Sequence, residues 1–137
     1  DISTILMADY GLKLYGNAII VNTDFAKANP EKVTGFLRAV AKGWKSSIAD
    51  PEGAVKMMVT RNPAADVALE TRRLQLAIDA NVMTDYVAAN GMGSIDEARF
   101  AEALEQLKST MGLTNVGDAS LYFDASYLPD DGSLMLK

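Results

Sequence analysis

No cysteine and no histidine occur among the 137 residues. The first absence excludes a disulfide framework and any thiolate-held metal. The second removes the commonest general base and the commonest neutral metal ligand. Serine–histidine triads, cysteine–histidine dyads and zinc sites drop out together. Carboxylates are plentiful, but none forms an isolated pair in an apolar setting from which an acid/base dyad can be argued. No catalytic residue, no metal ligand and no cofactor is expected. Long apolar runs are missing too: none exceeds four residues, as at Ala18 to Val21. A membrane-spanning helix needs roughly 20. Basic charge is scarce as well. Thirteen Lys and Arg face eighteen Asp and Glu, a net charge of −5, and a nucleic-acid binder normally carries a basic surface. The chain opens at Asp1 without a methionine or a charged-then-apolar leader, and it is read as a processed product or a fragment.

What is present is ordinary globular composition, 49% apolar and 23% charged, in a length that suits one domain. The charge is uneven. Up to Ala65 there are eight basic and six acidic residues, and from Asp66 onward five basic and twelve acidic. The first half could therefore favour an anionic ligand, or simply present a solvated helix face.

Two runs have the character of strands, Ile2 to Met7 and Tyr15 to Asn22. The second carries β-branched residues and a continuous apolar stretch, the pattern of a strand buried on both faces of a parallel sheet. No comparable run follows in the next ninety residues, and a two-stranded ribbon is marginal on its own. The sheet these strands would join is expected to lie outside this chain.

Helices fill the rest. Asn29-Pro30-Glu31 supplies an N-cap, a proline at the first helical position and an acid in the first turn. Val33, Phe36, Leu37, Val40, Trp44 and Ile48 then form one apolar stripe, opposite Arg38, Lys42 and Lys45. Asp50-Pro51-Glu52 restarts the pattern with Ala54, Val55, Met58 and Val59 inward. Asn62-Pro63 starts it again with Val67, Leu74 and Ile78. Thr84 to Asn90 predicts a short helical turn closed by Gly91. Ser94-Ile95-Asp96-Glu97 reads as a capping box, opening a helix that Gly112 closes in the left-handed region. Asp130-Asp131-Gly132 predicts a turn, and the last residues are expected to fray.

Chemistry concentrates early. Asp9-Tyr10-Gly11 lies between the two strand-like runs, and Tyr15-Gly16-Asn17 opens the second. Small residues admit close backbone approach. Tyr10 and Tyr15 offer flat faces with a hydroxyl, and Asn17 offers both a donor and an acceptor. That mixture suits a small polar or heteroaromatic ligand, and it equally suits a tight turn with aromatic packing. Asn90-Gly91-Met92-Gly93 could form a backbone nest for an anion, although no phosphate-loop Lys-Ser/Thr follows it.

The run Ala8-Asp9-Tyr10-Gly11 through Leu14-Tyr15-Gly16-Asn17-Ala18-Ile19-Ile20-Val21 resembles bacterial ABC-importer substrate-binding proteins. The group concerned serves pyrimidine thiamine precursors, nitrate, sulfonates and taurine. The resemblance continues through Asn29-Pro30-Glu31, Phe36-Leu37-Arg38-Ala39, Gly43-Trp44 and Asp50-Pro51-Glu52-Gly53-Ala54-Val55. It resumes at Asn90-Gly91-Met92-Gly93-Ser94-Ile95-Asp96, Ala98-Arg99 and Tyr127-Leu128-Pro129.

The fold class implied is α/β, mainly helical over this stretch, as part of a two-lobed type II periplasmic-binding-protein fold. Residues 1–22 would be the return crossing with its strands, 23–129 the helices completing the first lobe, and 130–137 a frayed tail. The remainder of lobe one and all of lobe two would lie elsewhere in the polypeptide. The implied function is reversible capture of a small organic solute or oxyanion and its delivery to a membrane ABC permease, in the periplasm or on a lipid anchor. No reaction is implied. Eukaryotic pyrimidine-synthesis enzymes of the same fold, and a free-standing helical interaction module, are the alternatives. Asp9, Tyr10, Tyr15, Gly16 and Asn17 are the expected ligand-binding residues. Tyr10 would stack on a planar solute, Asn17 would orient it, and Gly16 would give the backbone room. Asp9 would pair with an amine or amidine, or else cap the turn.

Overall fold

The computed structural model describes residues 3 and 5–136, and among them it contains helices and no strand. Six α-helices occur in chain order: α1 (Thr23–Ala28), α2 (Pro30–Ala49), α3 (Pro51–Val59), α4 (Val67–Ala77), α5 (Asp85–Asn90) and α6 (Glu97–Met111). A 3₁₀ turn, Met7–Tyr10, precedes them, a π turn, Ile78–Val82, extends α4, and two further 3₁₀ turns follow α6.

Both expected strands are corrected. Ile2 and Thr4 of the first lie outside the described residues, and its end at Met7 begins the 3₁₀ turn. Residues 12–22, which contain the second, carry no regular structure. A strand exists only against a partner that takes its N–H and C=O groups. The described chain offers residues 12–22 no such ladder. Their apolar side chains stay in solvent, Ile19 at 52% and Ile20 at 92% exposure.

The helix boundaries follow local chemistry. Pro30 sits at the start of α2 with Asn29 before it. The helix stops at Asp50 because a residue preceding proline is driven out of the α region, and Asp50 has φ −144° and ψ 80°. The same residue opens α3, accepting the Gly53 N–H at 2.9 Å on its carboxylate. One aspartate thus ends one helix and caps the next. The start expected at Asn62-Pro63 is displaced to Val67, because Asp66 is the residue whose carboxylate reaches the third helical N–H, that of Leu69, at 2.7 Å. The Asn62 N–H is already spent on the Met58 carbonyl.

The chain divides into two compact units. One combines Ala26–Ser94 with the chain from Tyr127 onward. It holds most of the buried apolar side chains: Ala26, Val33, Ala41, Val55 and Ile78. The stripe along α2 is less buried than its spacing predicts. Val33 is covered, Leu37, Val40 and Trp44 are half-buried, and Phe36 is 57% exposed. Residues 33 and 37 lie four apart on one line, whereas Phe36 stands a step to the side of it. Arg38 and Lys42 are exposed as expected, and Lys45 is half-buried.

The stretch read as a frayed tail, residues 130–137, and Tyr127 just before it have contacts of their own in this unit. Thr34 Oγ1 donates to the Tyr127 carbonyl at 2.9 Å, and Met92 N–H donates to the Leu134 carbonyl at 2.9 Å. Gly91 makes that approach possible: it is buried, sits at φ +81°, and a Cβ there would meet Leu134 Cβ at 3.2 Å. Arg38 Nε pairs with Asp131 Oδ2 at 2.7 Å. Ser133, whose backbone N–H donates to Asp131 Oδ1 at 3.0 Å, and then the Arg38 guanidinium hold the Asp131 carboxyl down at about 2. A depressed carboxyl pKa contributes above the ordinary value of 3.8 and stops contributing as pH falls through the folded value. The tail contact is therefore expected to be intact at pH 4 and lost near pH 2. A carboxyl ¹³C titration checks this: a midpoint near 2 for Asp131 is expected, rising in Arg38→Ala, and a midpoint at 3.8 in the native chain would contradict it.

The other unit combines the N-terminal segment up to Phe25 with Ile95–Ser126. Among its described residues Ala103 is the buried apolar one, while Ile5, Leu6, Met7, Tyr10, Leu12, Ile19, Ile20 and Val21 are exposed. This unit thus sets a small core against a large exposed apolar surface.

Candidate functional site

The expected ligand residues all lie in the second of these units, and α6 determines how they are presented. Its N-cap is Asp96, whose carboxylate accepts the Arg99 N–H at 2.9 Å. Ser94 was the expected cap, but its hydroxyl donates to the Gly91 carbonyl at 3.3 Å instead. In a capping box the cap's own N–H is answered by an acid three residues on. Here a distant tyrosine answers it: the Asp96 N–H donates to Tyr15 Oη at 2.8 Å.

Tyr15 is held on its ring as well. The Arg99 guanidinium lies 4.3 Å above the ring centroid, within cation–π range. Phe100, the next residue of α6, packs at 5.9 Å between centroids with planes tilted 44°. Arg99 also donates from Nε to the Lys13 carbonyl at 2.8 Å and from a terminal nitrogen to the Leu14 carbonyl at 3.2 Å. Two turns further along, Gln106 Nε2 donates to the Gly11 carbonyl at 3.1 Å. Residues 11–15 are thereby fastened along α6 by their main-chain carbonyls and one ring.

The other expected residues flank this anchored stretch in sequence. Asp9 and Tyr10 form the end of the 3₁₀ turn, which Gly11 closes at φ +93°. The Asp9 N–H donates to the Leu6 carbonyl at 3.0 Å, and the Tyr10 side chain is 79% exposed. Gly16 and Asn17 are exposed, and a Cβ at Gly16 would meet no atom within 4 Å. The five residues therefore separate into one with its ring and hydroxyl engaged, Tyr15, and four that face solvent. Such a surface can stack and hydrogen-bond to a solute, but it encloses nothing, and a small-molecule site normally buries most of its ligand.

Two of the N–H groups of the Asn90–Gly93 stretch are committed within the chain. Gly91 N–H is taken by the Val87 carbonyl and Met92 N–H by Leu134, each at 2.9 Å. Among the described residues no group of three carboxylates converges to hold a metal ion. No helix of the described chain is long and apolar enough to cross a membrane.

From the sequence, Asp96 belongs to the expected capping box and Arg99 to the resembling run Ala98-Arg99. Neither was singled out for the site. Asp96 has a local signal, since it stands three residues before the N–H it caps. Arg99 has none, because its carbonyl partners lie 85 and 86 residues away.

The family model described as NMT1/THI5 like matches residues 1–54. The match takes in the 3₁₀ turn, all five expected ligand residues, α1, α2 and the first residues of α3. It ends before α6. No curated protein and no solved structure matches the chain.

Proposed function

We propose that the chain is part of the solute-binding component of an ABC importer. In this reading it captures a small organic solute or oxyanion reversibly, without catalysing a reaction, and hands it to a membrane permease. The setting is extracytoplasmic, either periplasmic or lipid-anchored, and the architecture is the two-lobed α/β fold implied by the resemblance. The observation that carries the reading is the family match over residues 1–54, which coincides with the stretch where Asp9, Tyr10, Gly16 and Asn17 face solvent.

Packing supports it from a second direction. Residues 15–22 are strand-like in composition yet have no sheet among the described residues, and Ile19, Ile20 and Val21 remain exposed. A parallel sheet contributed by the rest of a longer polypeptide would take up their backbone groups and cover both faces. Ligands in such open sheets bind beyond the carboxyl ends of the strands, and in this reading residues 9–17 line the mouth of the cleft.

Amide exchange tests the reading. In the isolated chain the Ile19, Ile20 and Val21 amides are expected to exchange at nearly unprotected rates. In the longer polypeptide they are expected to slow by about 100-fold or more, as sheet amides do. Equal, fast exchange in both would contradict the missing-sheet account.

A further inference from the structure

We propose that Arg99 is a positioning residue that fixes where Gly16 and Asn17 stand. Its purpose rests on the solute-capture reading above, while its action can be measured without any solute. A single side chain engages three consecutive residues: the Lys13 carbonyl at 2.8 Å, the Leu14 carbonyl at 3.2 Å and the face of Tyr15 at 4.3 Å. Only a planar, forked cation does this, donating in its plane while stacking through its face. A lysine ammonium keeps the charge but is a compact donor with no face to stack.

Arg99 is itself on firm ground. Its backbone N–H is the one capped by Asp96, so the guanidinium projects from the first turn of a 15-residue helix. Tyr15 is gripped from below by the same turn, through the Asp96 N–H to its hydroxyl at 2.8 Å and through Phe100 at its ring. Gly16 follows Tyr15 directly, so the fixed point lies one residue before the glycine and two before Asn17. Without that point, an exposed Gly-Asn pair with no atom within 4 Å of the Gly16 Cβ position would sample many conformations, and the entropy of ordering it would fall on ligand binding. Arg99 removes that cost in advance.

The test is backbone ¹⁵N relaxation and amide exchange on the 137-residue chain, comparing the native protein with Arg99→Lys, Arg99→Ala and the control Lys108→Ala. Lys108 is on the same helix and pairs with Glu105. The native chain is expected to show order parameters near 0.85 at Tyr15, Gly16 and Asn17, the rigid-backbone value, falling below about 0.6 at Gly16 and Asn17 in Arg99→Lys. The Asp96 amide, freed from Tyr15, is expected to exchange about tenfold faster. The melting midpoint and the exchange of the α6 amides beyond its first turn stay unchanged in Arg99→Lys, which a merely structural role would not allow. Should Arg99→Ala fail to fold, Arg99→Lys decides. Unchanged order at Gly16 and Asn17 in Arg99→Lys, or a native value already below about 0.6, overturns the proposal. These readings do not depend on whether the longer polypeptide binds any solute, so failure of the transport reading and failure of this one are told apart.

Discussion

Ile78→Ala is expected to destabilise the unit that holds it by about 2–5 kcal/mol, the range for truncating a buried aliphatic side chain to alanine. Ile78 is 3% exposed and is the bulkiest of the buried apolar residues among those described; the others are alanines and valines at 26, 33, 41, 55 and 103. It stands where α4 passes into the π turn, and its carbonyl accepts the Met83 N–H at 2.8 Å. So small a core has few atoms with which to close a cavity, and the loss is a large fraction of the stability of a marginal domain, about 5–15 kcal/mol. Urea unfolding followed by far-ultraviolet circular dichroism measures it, the midpoint falling with the slope unchanged. Ile20→Ala serves as the contrast. At 92% exposure it is expected to change stability by less than about 0.5 kcal/mol. A loss under about 1 kcal/mol for Ile78→Ala would mean that the helices do not pack as described.

How far the sequence determined this structure depends on the reach of each interaction. Pro30 and Pro51 announced their helices because a proline and the residue before it restrict their own backbones, and Gly112 ends α6 at φ +64° for the same kind of reason. Caps were legible to within a few residues: two aspartates, 66 and 96, outcompeted the neighbouring Asn62 and Ser94 by placing a carboxylate on the third helical N–H. Periodicity overstated burial at Phe36, since an apolar residue at helical spacing is covered only where another element lies over it. The strand reading of residues 15–22 failed for a different reason. Strand character is a property of a pair, and no partner is in the described chain. The grip of α6 on residues 11–15 was invisible for the same reason, because main-chain carbonyls of any sequence can accept from Arg99 and Gln106.

In the longer polypeptide proposed above, Asn17→Ala is expected to weaken solute binding by about 1–3 kcal/mol, the usual cost of leaving a buried polar partner unmet. Asn17 offers a carbonyl and an amide from an exposed position beside Gly16, where a solute can approach the backbone unobstructed. Tyr10→Ala removes a 79% exposed aromatic face whose stacking on a planar solute is worth about 0.5–1.5 kcal/mol beyond the area it buries. Tyr15→Phe acts through position, since the Tyr15 hydroxyl is committed to Asp96; its effect on affinity is expected to be smaller than that of Asn17→Ala. The isolated 137-residue chain is expected to bind nothing tightly, because the exposed residues form one open wall and a solute on it remains wet.

Titration calorimetry of the longer polypeptide with an aminopyrimidine, nitrate and taurine, repeated with Tyr10→Ala and Asn17→Ala combined, tests solute capture at this site most directly. The account predicts saturable binding of at least one of these solutes, weakened about tenfold or more by the double substitution. Absence of binding to all three, or an affinity that the double substitution leaves unchanged, would contradict it.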